Sequence, residues 1–234
     1  MLAIAKREFK AFFSSPIGYV CVAVILALYG FFYYQALSFH STDYLTNVFS
    51  TMTGYSLFII PLITMRSFSE DRKNKTDQAL LTAPVNVSAI VMGKFLACFS
   101  VYFIAMTMTL VPVVLMSTFS TPPWGVVIGN YIASLLCGAA MMSIGIYISS
   151  LTTSQIIAAV GTLVVAILLT MIDTIGSAVS VEFVQKIITW ISFNARYYTF
   201  TQGVFDIPGV VYFVSLCGVF VFLTARKIES RRWN

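Results

Sequence analysis

Residues 17–38, IGYVCVAVILALYGFFYYQALS, run without a single charged side chain. As an α-helix the stretch measures roughly 33 Å, enough to cross the hydrocarbon core of a bilayer. It is too long for the apolar region of a secretory leader, and the segment before it is amphipathic and basic. A first membrane span is therefore expected here, not a cleaved signal. In residues 1–15, Leu2, Ala5, Phe9, Phe12 and Phe13 share one helical face, and Lys6, Arg7, Lys10 and Ser14 share the other. That pattern predicts a helix lying in the membrane interface. Pro16 ends it and turns the chain into the bilayer.

The composition agrees with this reading. Of the 234 residues, 59% are hydrophobic and 10% charged, whereas soluble domains carry about 25% charge. So few charges cannot cover a water-facing surface, and the apolar excess must face lipid. The length leaves no room for a separate nucleotide-binding domain beside the spans. The net charge of +5 sits in short membrane-flanking clusters, so topology accounts for it and nucleic acid does not. Cys21, Cys98, Cys137 and Cys217 all fall inside apolar runs, with no metal-ligand spacing. They read as small packing residues.

Further along, apolar runs predict spans at about 45–65, 88–116, 124–149, 155–175 and 208–225. Pro112 is expected to kink the third span. The fourth is rich in small residues, with Gly125 and Gly129, and Ser134 and Gly138, spaced to let helix backbones approach. Between the second and third spans lies a charged loop, 66–87. Residues 177–207 differ again. Val181, Val184, Ile188 and Ile191 recur at helical spacing opposite Glu182, Gln185, Lys186 and Thr189, which predicts short helices dipping into the outer interface. The expected fold is thus all-α: one interfacial helix, six transmembrane helices and short re-entrant helices before the last span, all in a single domain.

Charge bias orients the chain. Lys6, Arg7, Lys10, Arg66, Arg72, Lys73, Lys75, Lys94, Arg226, Lys227, Arg231 and Arg232 fall on one side, and only Lys186 and Arg196 on the other. By the positive-inside rule both termini are cytoplasmic, as an even number of spans requires.

No catalytic constellation is present. The single histidine, His40, falls in an external loop. No phosphate-cradling G-x-x-x-x-G-K-[ST] occurs, so ATP is not expected to bind this chain. There is no HExxH motif, and no intramembrane carboxylate pair of the kind that carries protons. Asp173, near the outer end of the fifth span, reads either as an interfacial acid facing water or as part of an outer gate. Glu182, Lys186, Arg196 and Asp206 face the same region.

The informative segment is 66–96. It opens with the charge run Arg66 to Lys75. A short helix is then predicted from Thr76 to Thr82, with Thr76 as N-cap and Pro84 barring continuation. Leu80 and Leu81 are apolar residues on a cytoplasmic loop. They suit docking into a groove on a soluble partner. An ordinary basic loop that fixes topology is the alternative.

The run Glu70-Asp71-Arg72-Lys73, then Leu80-Leu81-Thr82-Ala83-Pro84-Val85, then Ile90-Val91-Met92-Gly93-Lys94-Phe95 resembles the loop after the second span of ABC-2 type permeases. It is most similar to the gliding-motility and nitrous-oxide-cluster subfamily. The stretch Gly203-Val204-Phe205-Asp206, Val211-Tyr212-Phe213 and Glu229-Ser230-Arg231-Arg232-Trp233 resembles the end of the same proteins, and the likeness in layout spans the whole chain. One departure is Asn74-Lys75-Thr76-Asp77, where that family often has Gly-Thr followed by an acid; the acid is kept as Asp77.

The resemblance implies a permease subunit, more usually an exporter. Its expected partners are two copies of an ABC ATPase, a second permease chain, identical or homologous, surrounding lipids, and an extracytoplasmic auxiliary protein. ATP and Mg would bind the ATPase, and no cofactor this chain. Glu70, Asp71, Thr76, Asp77, Leu80, Leu81, Thr82 and Pro84 would form the ATPase-coupling segment, and Asp173, Glu182 and Arg196 an outer gate. An apolar, aromatic interior mildly favours a lipid-like cargo. Two other classes remain: an ion-coupled secondary transporter, disfavoured by the lack of mid-membrane charge, and a non-transporting membrane scaffold.

Overall fold

A computed structural model describes residues 1–38, 43–76, 86–118, 122–178, 182–203 and 205–232, and among these the backbone is helical almost throughout with no strand. The elements are α1 (Leu2–Ser14), α2 (Pro16–Ser38), α3 (Asp43–Thr64), α4 (Arg66–Lys73), α5 (Val87–Met108), α6 (Leu110–Met116), α7 (Trp124–Leu151), α8 (Gln155–Ala178), α9 (Glu182–Ile191), α10 (Phe193–Thr201) and α11 (Ile207–Arg232).

Among the described residues five helical segments are long and apolar enough to cross a membrane: Pro16–Gln35, Val87–Met116, Trp124–Leu151, Gln155–Ile172 and Ile207–Arg231. The predicted second span corresponds to α3, part of whose side chains lie outside the described residues. It runs the length of the bundle beside α2, α7 and α8. Successive long helices alternate in direction. α1, α4, the start of α5, the end of α7 and the end of α11 meet at one end, which carries most of the Lys and Arg. We call this the basic end. α9 and α10 lie at the far end.

The third predicted span breaks where proline chemistry demands it. Pro112 has no N–H to give the Met108 carbonyl. The helix therefore stops at Met108, and Thr109 forms a turn whose hydroxyl donates to the Met106 carbonyl at 2.7 Å. Helix α7 is the central post, with 67% of its apolar window buried, against 17% for α8 and α11. The exposed apolar faces of α8 and α11 supply much of the apolar surface that the composition required. At Gly138, an added Cβ would stand 2.4 Å from Cε1 of Tyr102, and at Gly129 one would stand 3.0 Å from the Phe200 carbonyl oxygen. Both small residues admit a neighbour, as their spacing predicted, whereas Gly125 faces open space. The four cysteines are free, and Cys21, Cys98 and Cys137 are buried.

Two expectations are corrected. Residues 66–73, read as a charged loop, form helix α4, and the basic tail from Arg226 continues α11 to Arg232. His40 and residues 77–85, which include all of the predicted helix Thr76 to Thr82 but its first residue, lie outside the described residues.

Candidate coupling site

An eight-residue helix is marginal on its own, and α4 owes its form to its neighbours. Its first backbone N–H groups need acceptors. The Phe68 and Ser69 amides both donate to Ser149 Oγ at 3.1 Å, and that hydroxyl donates to the Met65 carbonyl at 3.0 Å. Ser69 Oγ also donates to the Met65 carbonyl. Since the Met65 amide bonds back to the Pro61 carbonyl at 2.9 Å, α4 is pinned to the end of α3 on one side and to the end of α7 on the other.

The C-terminus of α4 closes with a Schellman turn. The Thr76 amide bonds the Asp71 carbonyl at 2.9 Å and the Lys75 amide bonds the Arg72 carbonyl at 3.2 Å. This turn needs a left-handed residue, and Lys75 supplies it with φ 57°. Glycine is the usual choice there; at the far end of the molecule Gly203, φ 72°, closes α10 the same way. Lysine at this position therefore leaves the turn intact, at a conformational cost of about 1 kcal/mol. Lys75→Gly is expected to recover about 0.5–1 kcal/mol and to raise the melting temperature of the purified chain by about 2 °C. Thr76 points backward, its hydroxyl donating to Asp71 Oδ1 at 3.0 Å.

The side chain with the most demanding surroundings is Lys94 of α5, 2% exposed. Its Nζ lies 2.7 Å from Asp71 Oδ2 of α4 and 3.2 Å from Glu8 Oε2 of α1, donates to the Ser67 carbonyl at 2.6 Å, and stands 5.1 Å over the Phe68 ring. A buried ammonium persists only when paired and hydrogen-bonded, and here two other helices, α1 and α4, supply the partners. Arg66 extends the network. It grips Glu70 through Nε at 2.7 Å and Nη2 at 3.2 Å, donates to Ser15 Oγ at 2.6 Å, and covers the Phe12 ring at 5.6 Å. The groups surround a cleft of about 640 Å³ between α1, α4 and α5. At the end of α7, the Ser150 carbonyl accepts from Arg231 at 2.6 Å and from Arg72 at 3.5 Å.

Of the residues singled out in sequence for coupling, Glu70, Asp71 and Thr76 thus come together at this cleft. Asp77, Leu80, Leu81, Thr82 and Pro84 lie outside the described residues. In the sequence Lys94 counts as a topology charge and as part of the Gly93-Lys94 resemblance, with no partner assigned to it, and Glu8 is not singled out. The signal for Glu8 was available: it is the one acid in a basic amphipathic helix.

The far end holds a feature that the sequence reading placed too shallow. Tyr197 of α10 reaches the middle of the bundle. Its hydroxyl donates to Asn130 Oδ1 at 3.0 Å and lies 3.0 Å from Thr53 Oγ1, which is 2.6 Å from Ser134 Oγ. Tyr102 joins from α5, 3.1 Å from Ser56 Oγ and donating to the Ser134 carbonyl at 3.3 Å. Thr53 is roughly 15 Å from either end of α3, so α10 plugs into the bundle. The small, uncharged polar groups satisfy one another there. Arg196, one turn edge away, packs over Trp190 at 5.5 Å and Tyr212 at 5.9 Å. Asp173 lies in the last part of α8 and Glu182 opens α9; their side chains are outside the described set. Asp206 caps α11, accepting from the Gly209 amide at 3.1 Å and from Thr199 Oγ1 at 3.3 Å. Among the described residues no group of His, Cys, Asp and Glu could hold a metal ion.

Among curated proteins nothing matches the chain. A family model described as ABC-2 family transporter protein matches residues 2–225, from the first residue of α1 to the last turns of α11. Matched over that span, and helical among its described residues, the chain belongs to the ABC-2 family of transporter proteins.

Proposed function

We propose that the chain is the membrane subunit of an exporter, driven by ATP hydrolysed on a separate ATPase that docks on residues 76–84. The observation that carries this reading is the anchoring of α4. The helix leading into that segment is tied to α3 through Met65, to α7 through Ser149, and to α1 and α5 through Asp71 and Lys94. A push on the docking segment therefore reaches four other helices at once, including the central post. A loop that only fixed topology would need no such attachment.

The basic end is then cytoplasmic, in the inner membrane of a prokaryote, with α3 completing six spans and both termini inside. A second permease chain, identical or homologous, and two ATPase copies complete the transporter, with an extracytoplasmic auxiliary protein as a further partner. At the outer end the Tyr197 hydroxyl bolts α10 to α3 and α7, and opening requires that bolt to slide. Asp173, Glu182 and Arg196 flank the opening.

Replacing Leu80 and Leu81 together with Asp is expected to reduce the ATPase recovered with the tagged chain at least tenfold, while the chain itself still inserts and folds. Undiminished recovery of the ATPase would place the docking elsewhere.

A further inference from the structure

The last helix continues past the bilayer, and its basic charges alone do not account for how it does so. At 26 residues α11 measures roughly 39 Å, more than the hydrocarbon core of about 30 Å. A tail that only fixed topology would be solvated all round. Instead Thr224, Ala225 and Ile228 are buried and Arg231 is half-buried, while Arg226, Lys227, Glu229 and Ser230 between them are exposed. The inward residues recur at helical spacing, so one face of the extension is docked on the bundle.

Arg231 makes the attachment. Its Nη2 donates to the Ser150 carbonyl at 2.6 Å, and Arg72 of α4 reaches the same oxygen at 3.5 Å. Ser150 lies in the last turn of α7, where carbonyls lack intrahelical donors and the helix dipole favours a cation. Its neighbour Ser149 accepts the first amides of α4. Two adjacent residues thus join α4, α7 and α11 at one point.

The other end of α11 holds α10. Asp206 accepts from Thr199 Oγ1 at 3.3 Å, and Phe213 packs edge-on against Phe193 with ring centres 5.3 Å apart. The Tyr212 hydroxyl donates to the Ile191 carbonyl at 2.7 Å, at the joint between α9 and α10. Between the two ends, Phe220 meets Tyr147 of α7 at 5.8 Å. Helix α7 also runs from one end to the other, but its hold on α10 includes the Tyr197 bonds to Asn130 and Ser134, which sliding of the bolt must break. The α11 contacts lie outside those bonds and can pull on them.

We propose that α11 is the rod that carries movement of α4 to the outer bolt, with Arg231 as the positioning residue that fixes the rod to the joint of α4 and α7. The proposal rests on the ATP-driven reading of the chain. Coupling over such a distance is carried by rigid elements and by the bonds at their ends.

The test uses the full chain reconstituted in vesicles with its ATPase. Thr53→Cys, in a chain whose native cysteines are replaced by Ala, reports the bolt through labelling by a water-soluble thiol reagent. With Arg231 in place, labelling rises during ATP turnover. Arg231→Gln is expected to cut that rise about tenfold, while the ATPase recovered with the chain stays the same and the melting temperature moves by less than about 3 °C. Arg231→Lys, which keeps the charge, should restore part of the rise. Arg226→Gln, on the exposed face, should leave the rise whole. A rise undiminished in Arg231→Gln would overturn the rod alone; no rise even with Arg231 in place would overturn the ATP-driven reading and the rod with it. Where Arg231→Gln loosens the fold, Tyr212→Phe decides. It removes only the bond to Ile191 at the other end and is expected to cut the rise about threefold; an unchanged rise there would again overturn the rod.

Discussion

Lys94→Met is expected to lose about 3 kcal/mol of stability, a fall in melting temperature of about 10 °C for a chain of this length. Methionine fills the volume of the lysine stem but leaves Asp71 and Glu8 facing each other with no cation between them. Removing one member of a buried ion pair costs about 3–5 kcal/mol. The lower figure applies because both carboxylates retain 19% exposure and some contact with water. Rescue separates this cause from a simple packing defect. Adding Glu8→Gln and Asp71→Asn to Lys94→Met removes the stranded charges and should restore most of the lost stability, since neutral replacements of buried ionic groups are often tolerated. The measurement is thermal unfolding of the detergent-purified chain, followed by the fraction that stays monodisperse.

Gly138→Ala is the second large effect. One methyl group would stand 2.4 Å from Cε1 and 2.9 Å from Cζ of Tyr102. That ring is fully buried, and its hydroxyl is held by Ser56 and by the Ser134 carbonyl. It cannot swing aside without breaking both contacts, so α5 and α7 must separate. Overpacking of this kind costs about 1–3 kcal/mol. Gly138→Ala with Tyr102→Leu should recover part of the loss by removing the ring. Gly30→Ala, in α2 with nothing within 4 Å of its new methyl group, should be neutral or slightly stabilising by helix propensity. If Gly30→Ala and Gly138→Ala unfolded alike, close approach of α5 and α7 would not be the cause.

How much of this was legible in the sequence varies with the distance over which each feature is decided. The spans were legible because an apolar run of 20 residues is itself the physical requirement for crossing a bilayer. Pro16 marked the break between the interfacial helix and the first span because a proline cannot continue a helix interior. The amphipathic α1 was visible in its period. Helix α4 was not, because RSFSEDRK has little apolar face of its own. It becomes a helix because Ser149, some 80 residues away in the chain, accepts its first amides. Lys94 gave a position but not an environment: nothing local says that Glu8 and Asp71 converge on it. The depth of Tyr197 was not legible, because a region such as 177–207 reads only as short helices dipping into the outer interface. Its hydroxyl goes deep only because Asn130, Ser134 and Thr53, on two other helices, are there to receive it. The candidate coupling residues Glu70 and Asp71 were found by their resemblance to a family loop, yet the pairings that hold them, with Arg66 and Lys94, are matters of tertiary structure alone.

The central claim is that ATP hydrolysed on a partner moves this chain, and the bolt at Thr53 reports on it most directly. Thr53 is 4% exposed. The experiment places Thr53→Cys in a background with Cys21, Cys98, Cys137 and Cys217 replaced by Ala. The chain is reconstituted in vesicles with its ATPase and treated with a water-soluble thiol reagent. Labelling at position 53 is expected to be low at rest, to rise during ATP turnover, and to stay low with a catalytically dead ATPase. Labelling driven by an ion gradient without ATP would mark a secondary transporter, and labelling that stays low in every condition would mark a static scaffold; either result would contradict an ATP-driven permease.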